Sequence, residues 1–159
     1  MLAELAHTLW HSLKNRLHPK HLPPHLMRGQ LGERAAKHHL QKQGLKFLTA
    51  NFKTQRGEID LIFRDRKNNT LAFVEVKTRS RADWTRPAAA VTPRKRRRLT
   101  LAALAYLRRL RARPPRFRFD IVEVLLHDDA VREIRHLPNA FPIQQRNYFP
   151  DGSPDGDQS

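Results

Sequence analysis

The pattern of apolar and polar residues predicts two helices and five strands between residues 30 and 137. Apolar residues that recur every three or four positions indicate helices, whereas short alternating or continuous apolar runs indicate strands. The predicted order is a helix, three strands, a helix and two strands, which is typical of an α/β sheet packed against helices. The predicted bounds are 30–44 (helix), 45–52, 58–64 and 70–78 (strands), 93–113 (helix), and 117–126 and 130–137 (strands).

Two local signals fix helix ends. Gly44 follows the first helical segment and favours a C-terminal cap, because glycine adopts the left-handed conformation that such caps require. Thr92 precedes Pro93, which is a capping residue followed by proline at the first helical position.

The flanking segments differ from this core in composition. Residues 1–28 combine an amphipathic helix with a proline-rich linker, and they are predicted to cap the core, bind a partner protein or touch a lipid surface. Residues 29–141 form the predicted domain, and the acidic tail within 142–159 is predicted to be disordered. The apolar positions of the N-terminal helix are Leu2, Leu5, Leu9, Trp10, Leu13 and Leu17.

Charge distinguishes this chain more than hydrophobicity does. The 31 Lys and Arg residues against 15 Asp and Glu residues give a formal net charge of +16, which favours polyanionic partners. The chain has no cysteine, which excludes disulfides, thiolate metal sites and cysteine nucleophiles. No apolar run is long enough to span a membrane and no secretory pattern is present, so we expect a cytoplasmic protein.

The segment GEIDLIFRDRKNNTLAFVEVKTR places acids inside two apolar runs. If it forms a hairpin centred on Lys67 and Asn68, Asp60 faces Glu75 and Glu58 faces Lys77 across the strands. One face of the hairpin then carries these four charged residues. The opposite face carries Ile59, Leu61, Phe63, Val74 and Val76.

Opposed carboxylates repel each other, so something must neutralise Asp60 and Glu75. Mg²⁺ or Mn²⁺ would do so, because hard cations bind carboxylate oxygens and also phosphate. Lys77 would then orient the attacking water or stabilise charge in the transition state. The alternative is an ordinary exposed Glu–Lys ladder with no catalytic role.

Five segments, GEIDLI, FVEVKTR, AVTPRKRRRL, RFDIV and NAF, together resemble the YraN family of uncharacterised bacterial proteins over roughly residues 29–141. That family is similar to restriction-endonuclease-like nucleases of the PD-(D/E)xK superfamily, above all to archaeal Holliday-junction resolvases. The resemblance implies a three-layer α/β core with a mixed central sheet of about five strands flanked by helices.

The resemblance also assigns roles to particular residues. It places the superfamily's Asp, acidic residue and Lys at Asp60, Glu75 and Lys77, although Ile59 stands where the pattern has proline. It implies that Glu33 in the first helix joins the metal ligands. The predicted metal ligands are therefore Asp60, Glu75, Glu33 and the backbone carbonyl of Val76.

A second cluster, Arg94, Lys95, Arg96, Arg97 and Arg98, opens the second helix. Cations are unfavourable at the positive end of a helix dipole, whereas the free N–H groups there favour phosphate. We therefore predict that this cluster binds a nucleic-acid backbone, and we include Arg79 among the nucleic-acid-binding residues. A merely solvated face is the alternative.

The sequence thus favours a nucleic-acid-binding protein that cleaves phosphodiester bonds with Mg²⁺ or Mn²⁺. The resemblance favours DNA over RNA, and branched or flapped DNA in particular. A second hypothesis is a non-catalytic nucleic-acid-binding module that keeps the nuclease fold. A third is an adaptor whose N-terminal helix recruits a protein partner.

Overall fold

The computed structural model describes residues 23–80, 91–110 and 115–142. Two predicted features lie wholly or largely outside the described residues: the amphipathic N-terminal helix and the acidic tail. Their predictions, including the division of the chain at residues 28 and 141, therefore remain predictions.

Two helices and five strands follow the predicted order, in one sheet with the strand order β1-β2-β3-β4-β5. Strands β3 and β4, joined through the second helix, are parallel, and the other neighbouring pairs are antiparallel. The predicted α/β class with a mixed five-stranded sheet is confirmed. The elements are α1 (Pro24–Lys42), β1 (Lys46–Thr54), β2 (Gly57–Asp65), β3 (Thr70–Ser80), α2 (Pro93–Leu107), β4 (Arg116–His127) and β5 (Ala130–Leu137).

The helices lie on opposite faces of the sheet and each covers its own apolar cluster, so the core has three layers. Each buried apolar side chain in these clusters belongs to one of them only, because alternate residues of a strand point to opposite faces. The α1 cluster contains Ala36, Leu40, Leu61, Phe63, Ala72, Val74, Val122, Val124 and Leu126. The α2 cluster contains Ile59, Ile62, Leu71, Phe73, Val91, Leu99, Ala102, Ala103, Leu107, Phe119, Ile121 and Phe141.

Both predicted helix-end signals are confirmed. Gly44 has φ +89°, and the N–H groups of Gly44 and Leu45 donate to Gln41 and Leu40. Thr92 Oγ1 accepts a hydrogen bond from the Lys95 N–H at 3.3 Å. No helix within the described ranges is both long and apolar enough to cross a lipid bilayer.

The opposite ends of the two helices differ from the prediction. Helix α1 begins at Pro24, earlier than Gln30, because proline is well tolerated at the first helical position. Helix α2 ends at Leu107 rather than near residue 113. Its end tightens through hydrogen bonds from the N–H groups of Arg109 and Leu110 to carbonyls three residues earlier.

The register of the β2–β3 hairpin matches the prediction from Leu61–Val74 to Asp65–Thr70. One assignment of a residue to a face was wrong. Ile59 lies in the α2 cluster, not beside Leu61 in the α1 cluster. The regular pairing ends at Leu61, and the Asp60 side chain instead accepts the Val76 N–H, so strict alternation does not continue past this point.

Two glycines allow the helices to approach the strands closely. A methyl group at Gly32 in α1 would overlap the Thr78 side chain of β3. A methyl group at Gly57, where β2 begins, would overlap the Arg98 carbonyl oxygen of α2. These contacts bring both helices against the ends of β2 and β3 that carry the acidic residues.

We expect Gly57→Ala to destabilise the fold by roughly 1–3 kcal/mol, because backbone must move to admit the methyl group. The measurement is the free energy of unfolding in urea. Gly29→Ala is the matched control, since Gly29 lies in α1 with open space around it. That control should be neutral or stabilised by up to about 1 kcal/mol. Equal stability of the two variants would contradict the close contact.

Candidate functional site

Asp60 and Glu75 meet where β2 and β3 stop pairing regularly. Asp60 Oδ2 accepts a hydrogen bond from the Val76 N–H at 2.7 Å, so its carboxylate lies against the backbone of β3. The Glu75 side chain is only 8% exposed. Two carboxylates are therefore held together near the middle of the sheet with little access to water.

The electrostatics of Asp60 show the consequence. Burial, and secondarily the neighbouring Glu75, raise the pKa of Asp60 to about 7. The Val76 N–H and the Lys95 ammonium oppose this rise, while Glu33 adds to it. Ionising both acids is thus costly unless a cation lies close to them.

Two lysines reach the same oxygen of Glu75. Lys77 Nζ lies 3.6 Å from Glu75 Oε1, and Lys95 Nζ lies 3.1 Å from it. The sequence predicted the proximity of Lys77, but it assigned Lys95 only to the phosphate-binding cluster. The position of α2 over the sheet, which local pattern does not encode, brings Lys95 into the site.

The other oxygen of Glu75 is unusual. Among the buried side-chain nitrogen and oxygen atoms of the described residues, Glu75 Oε2 is the one without a hydrogen-bond partner. Such an atom ordinarily costs stability and calls for an explanation such as an ion. A hard cation fits this oxygen and the adjacent Asp60 carboxylate.

Glu33 has a partner outside the carboxylate pair. Asn51 Nδ2 donates to Glu33 Oε2 at 3.2 Å, and Glu33 is still near enough to raise the pKa of Asp60. Across the described ranges, no three His, Cys, Asp or Glu side chains are grouped closely enough to hold a metal ion. A cation would therefore rest on two carboxylates together with backbone or water oxygens, an arrangement that suits Mg²⁺. The metal roles of Glu33 and the Val76 carbonyl remain predictions.

The Glu58–Lys77 ladder, which the sequence left open as the alternative to a metal site, does not form. Glu58 pairs across β1 with Lys53, and within the described part of the chain no ion pair joins Glu58 to Lys77. The cause is the same early end of regular β2–β3 pairing that orients Asp60 toward Val76. Lys77 is therefore directed to Glu75.

Arg79 is engaged by an acid that the sequence analysis missed. Arg79 Nε lies 2.8 Å from Oε1 of Glu123, a residue that is 1% exposed. Glu123 sits inside an apolar run of β4, and this is the same signal that singled out Glu75. Binding of nucleic acid by Arg79 remains a prediction, and its observed role is to compensate a buried charge.

The basic cluster of α2 divides into two sets. Arg94, Arg97 and Arg98 are exposed, whereas Lys95 and Arg96 are partly buried. Arg96 donates through Nε to the Val91 carbonyl at 2.8 Å, and its guanidinium lies 5.3 Å from the Phe141 ring centre. The exposed set is the part of the cluster that is presented to a partner.

A separate buried network surrounds Asp120. Burial alone would raise the pKa of Asp120, but hydrogen bonds from His136, the Asn139 N–H and Arg118 hold it below its usual value. Arg118 also pairs with Asp65 at 3.1 Å. These acids all have partners, in contrast to Glu75 Oε2, so we assign them a structural role.

Fold and site together define an α/β protein with one buried carboxylate, one half-buried carboxylate and two lysines at the diverging ends of two central strands. Residues 32–124 match the model of the uncharacterised protein family UPF0102. The chain belongs to this family, which is the YraN family.

Relatives from several bacteria support the assignment. A UPF0102 protein of Trichlorobacter lovleyi is 42% identical over 115 residues, covering 72% of this chain and 90% of the relative. One from Herminiimonas arsenicoxydans is 45% identical over 112 residues, covering 70% and 84%. One from Coxiella burnetii is 43% identical over 113 residues, covering 70% and 89%. The shared region contains the whole candidate site.

We expect Asp60→Asn to stabilise the metal-free protein at neutral and alkaline pH. Asp60 has a folded-state pKa of about 7 against 3.8 for the free side chain, so the folded state binds its proton more tightly. Stability from this group therefore falls as pH rises between those values. The gain in Asp60→Asn should be near zero below pH 3.8 and reach a few kcal/mol, at most about 4, above pH 7. Urea unfolding across pH 3.5–8.5 measures it.

Asp65→Asn should change the stability of the protein in the opposite direction. The Asn68 side chain and Arg118 hold the pKa of Asp65 below its ordinary value, so its contribution is present above that value and lost in acid. Asp65→Asn should therefore destabilise the protein at neutral pH. If both variants lose stability equally across the range, the burial and repulsion assigned to Asp60 are wrong.

Proposed function

We propose that this protein is a metal-dependent nuclease that hydrolyses phosphodiester bonds in nucleic acid, with branched or flapped DNA as its substrate. The observation that carries the proposal is Glu75, a buried carboxylate with one unpartnered oxygen, beside Asp60 and two lysines. A purely structural site would gain nothing from leaving that oxygen without a partner.

Asp60 and Glu75 are the residues that would hold Mg²⁺ or Mn²⁺, with the Val76 carbonyl as a further ligand. Glu33 is not grouped with the two acids, so it would join the ligands only if its side chain left Asn51. The bound ion supplies Lewis acidity at the phosphoryl oxygen and lowers the pKa of water. The hydrogen bond from the Val76 N–H fixes the orientation of the Asp60 carboxylate. The ligands are thus preorganised by the strands that carry them.

Lys77 has the position expected of a residue that acts on the attacking water. It lies on the same strand as Glu75, two residues along, and its side chain is 30% exposed. A lysine there can orient water and stabilise the negative charge that grows on the phosphate. Its ion pair with Glu75 keeps the ammonium in place before substrate binds.

The exposed cations near the site provide a surface for the substrate backbone. Arg94, Arg97 and Arg98 lie in the first turns of α2, where the positive end of the helix dipole also attracts phosphate. Close packing of Gly57 against the Arg98 carbonyl places exposed Arg56 beside this turn. Phosphate contacts of this kind position a nucleic acid without reading its sequence, which suits recognition of branched structure.

The second candidate is a nucleic-acid-binding module without catalysis. The exposed arginines of α2 favour it, since they are sufficient for backbone binding. It leaves the buried pair of Asp60 and Glu75 without a role, and for that reason we prefer the nuclease.

A cleavage screen tests the choice. Wild-type protein with Mn²⁺ or Mg²⁺ should cut flapped or four-way DNA in preference to plain duplex or single strands, and chelation should abolish cutting. Lys77→Ala should lower the cleavage rate by roughly 10²-fold or more while DNA affinity changes little, because a transition-state interaction is lost. Asp60→Asn should remove metal-dependent cleavage.

Lys46→Ala serves as the control, since it removes an exposed lysine at the far end of β1 from the site. It should cleave at the wild-type rate. Binding without cleavage of any of the four substrates, under either metal, would replace the nuclease by the binding module. A parallel fall of affinity and rate in Lys77→Ala would reduce Lys77 to a phosphate contact.

A further inference from the structure

Lys95 is the cation nearest to Glu75, although it belongs to a cluster whose neighbours face solvent. Its ammonium lies 3.1 Å from Glu75 Oε1, closer than the 3.6 Å of Lys77. The side chain is 29% exposed, so it reaches inward from the first turn of α2. Lys95 also stabilises the charged form of Asp60.

This position conflicts with the binding of a divalent cation. Lys95 pairs with Oε1 of Glu75, whereas the divalent ion would take the unpartnered Oε2. The two do not share an oxygen, but two positive charges on one carboxylate repel each other at short range. Lysine has a compact charge on a flexible four-carbon stem, so it can leave Glu75 without any movement of the helix. At the first turn of α2, the alternative partner is an anion held by Arg94, Arg97 and the positive end of the helix dipole.

We propose that Lys95 is an exchangeable counter-cation: it neutralises Glu75 in the metal-free protein and transfers its ammonium to a backbone phosphate when a divalent cation binds. The inference rests on the proposed function and adds a coupling between metal and nucleic acid. Metal binding releases the Lys95 ammonium, which can then bind a phosphate. Phosphate binding in turn holds that ammonium away from Glu75, which favours the metal. By linkage, each ligand raises the affinity for the other by the same factor.

Lys95 thereby differs from Lys77. Lys77 is on β3, the strand that carries Glu75, and it stays in the site. Lys95 is on α2, the helix that would face the nucleic-acid backbone. Lys95 is a positioning residue. Replacing it should change the affinity of the metal-free protein for the divalent ion rather than the rate of cleavage.

The first experiment titrates Mn²⁺ alone into the full chain by calorimetry. Lys95→Gln removes the competing charge while its amide can still donate to Glu75, and it should bind Mn²⁺ about tenfold or more tightly than wild type. Lys95→Arg keeps the charge and should bind no more tightly than wild type. Arg94→Gln removes an equal charge from the same turn without contacting Glu75, and its Mn²⁺ affinity should change by less than about twofold.

The second experiment measures DNA affinity against salt in a Lys77→Ala background, which blocks hydrolysis. Adding Mn²⁺ should steepen the slope of log affinity against log salt by about 0.9, as one more phosphate is neutralised. With Lys95→Gln added, the slope should be the same with and without Mn²⁺.

The outcomes separate the two proposals. Mn²⁺ binding that is detectable but unchanged or weaker in Lys95→Gln overturns the exchange and leaves the nuclease intact. If Mn²⁺ does not change the slope of log DNA affinity against log salt in the Lys77→Ala background, the exchange is likewise overturned and the nuclease is left intact. No Mn²⁺ binding in wild type or in any variant overturns both proposals.

Discussion

The repulsion between Asp60 and Glu75 is the constraint on which the rest of this structure depends. Glu75 is buried and Asp60 is half-buried, and burial, followed by the neighbouring Glu75 carboxylate, raises the pKa of Asp60 to about 7. Hydrophobic residues of similar volume would pack the same space at lower cost. The fold instead surrounds the pair with an N–H donor from Val76 and with ammonium groups from Lys77 and Lys95. Placing these charged groups away from water lowers the stability of the fold, and such a loss of stability is common at functional sites.

The three-layer architecture supplies these partners from separate elements. Strand β3 carries Glu75 and Lys77, while the start of β2 carries Asp60 where regular pairing ends. Helix α2 approaches closely because Gly57 admits its backbone, and it delivers Lys95. The exposed arginines beside Lys95 then place a positively charged surface, which we propose binds phosphate, next to the carboxylates. Packing and proposed chemistry therefore depend on the same contacts.

Sequence pattern predicted most of the fold, since period and caps are local properties. Strand β5 matches its predicted bounds, and Gly44 and Thr92 end and begin their helices as expected. The predicted hairpin register is correct from Leu61–Val74 to Asp65–Thr70, but the pairs predicted beyond Leu61 do not form. Ile59 was misassigned because strict alternation assumes regular pairing, and the Asp60 side chain interrupts it.

Part of the site was also predicted from local sequence pattern. Asp60, Glu75 and Lys77 share one hairpin, so spacing alone could bring them together. Lys95 and Glu123 were not connected to their partners, because those contacts depend on how α2 and β4 lie against β3. A lysine within a run of arginines carries no local signal of facing inward. An acid within an apolar strand does carry a local signal. Glu75 was singled out in β3 because it interrupts an apolar run, and Glu123 could have been found in β4 in the same way.

The most direct measurement of the central claim is the anomalous scattering of Mn²⁺ soaked into crystals of the full chain. The account predicts a single strong peak coordinated by carboxylate oxygens of both Asp60 and Glu75, with Mn²⁺–oxygen distances near the roughly 2.1 Å of octahedral hard-cation sites. Asp60→Asn crystals soaked identically should lack the peak. Wild-type crystals with no anomalous peak between the two carboxylates, and with Lys95 still paired to Glu75, would contradict the account.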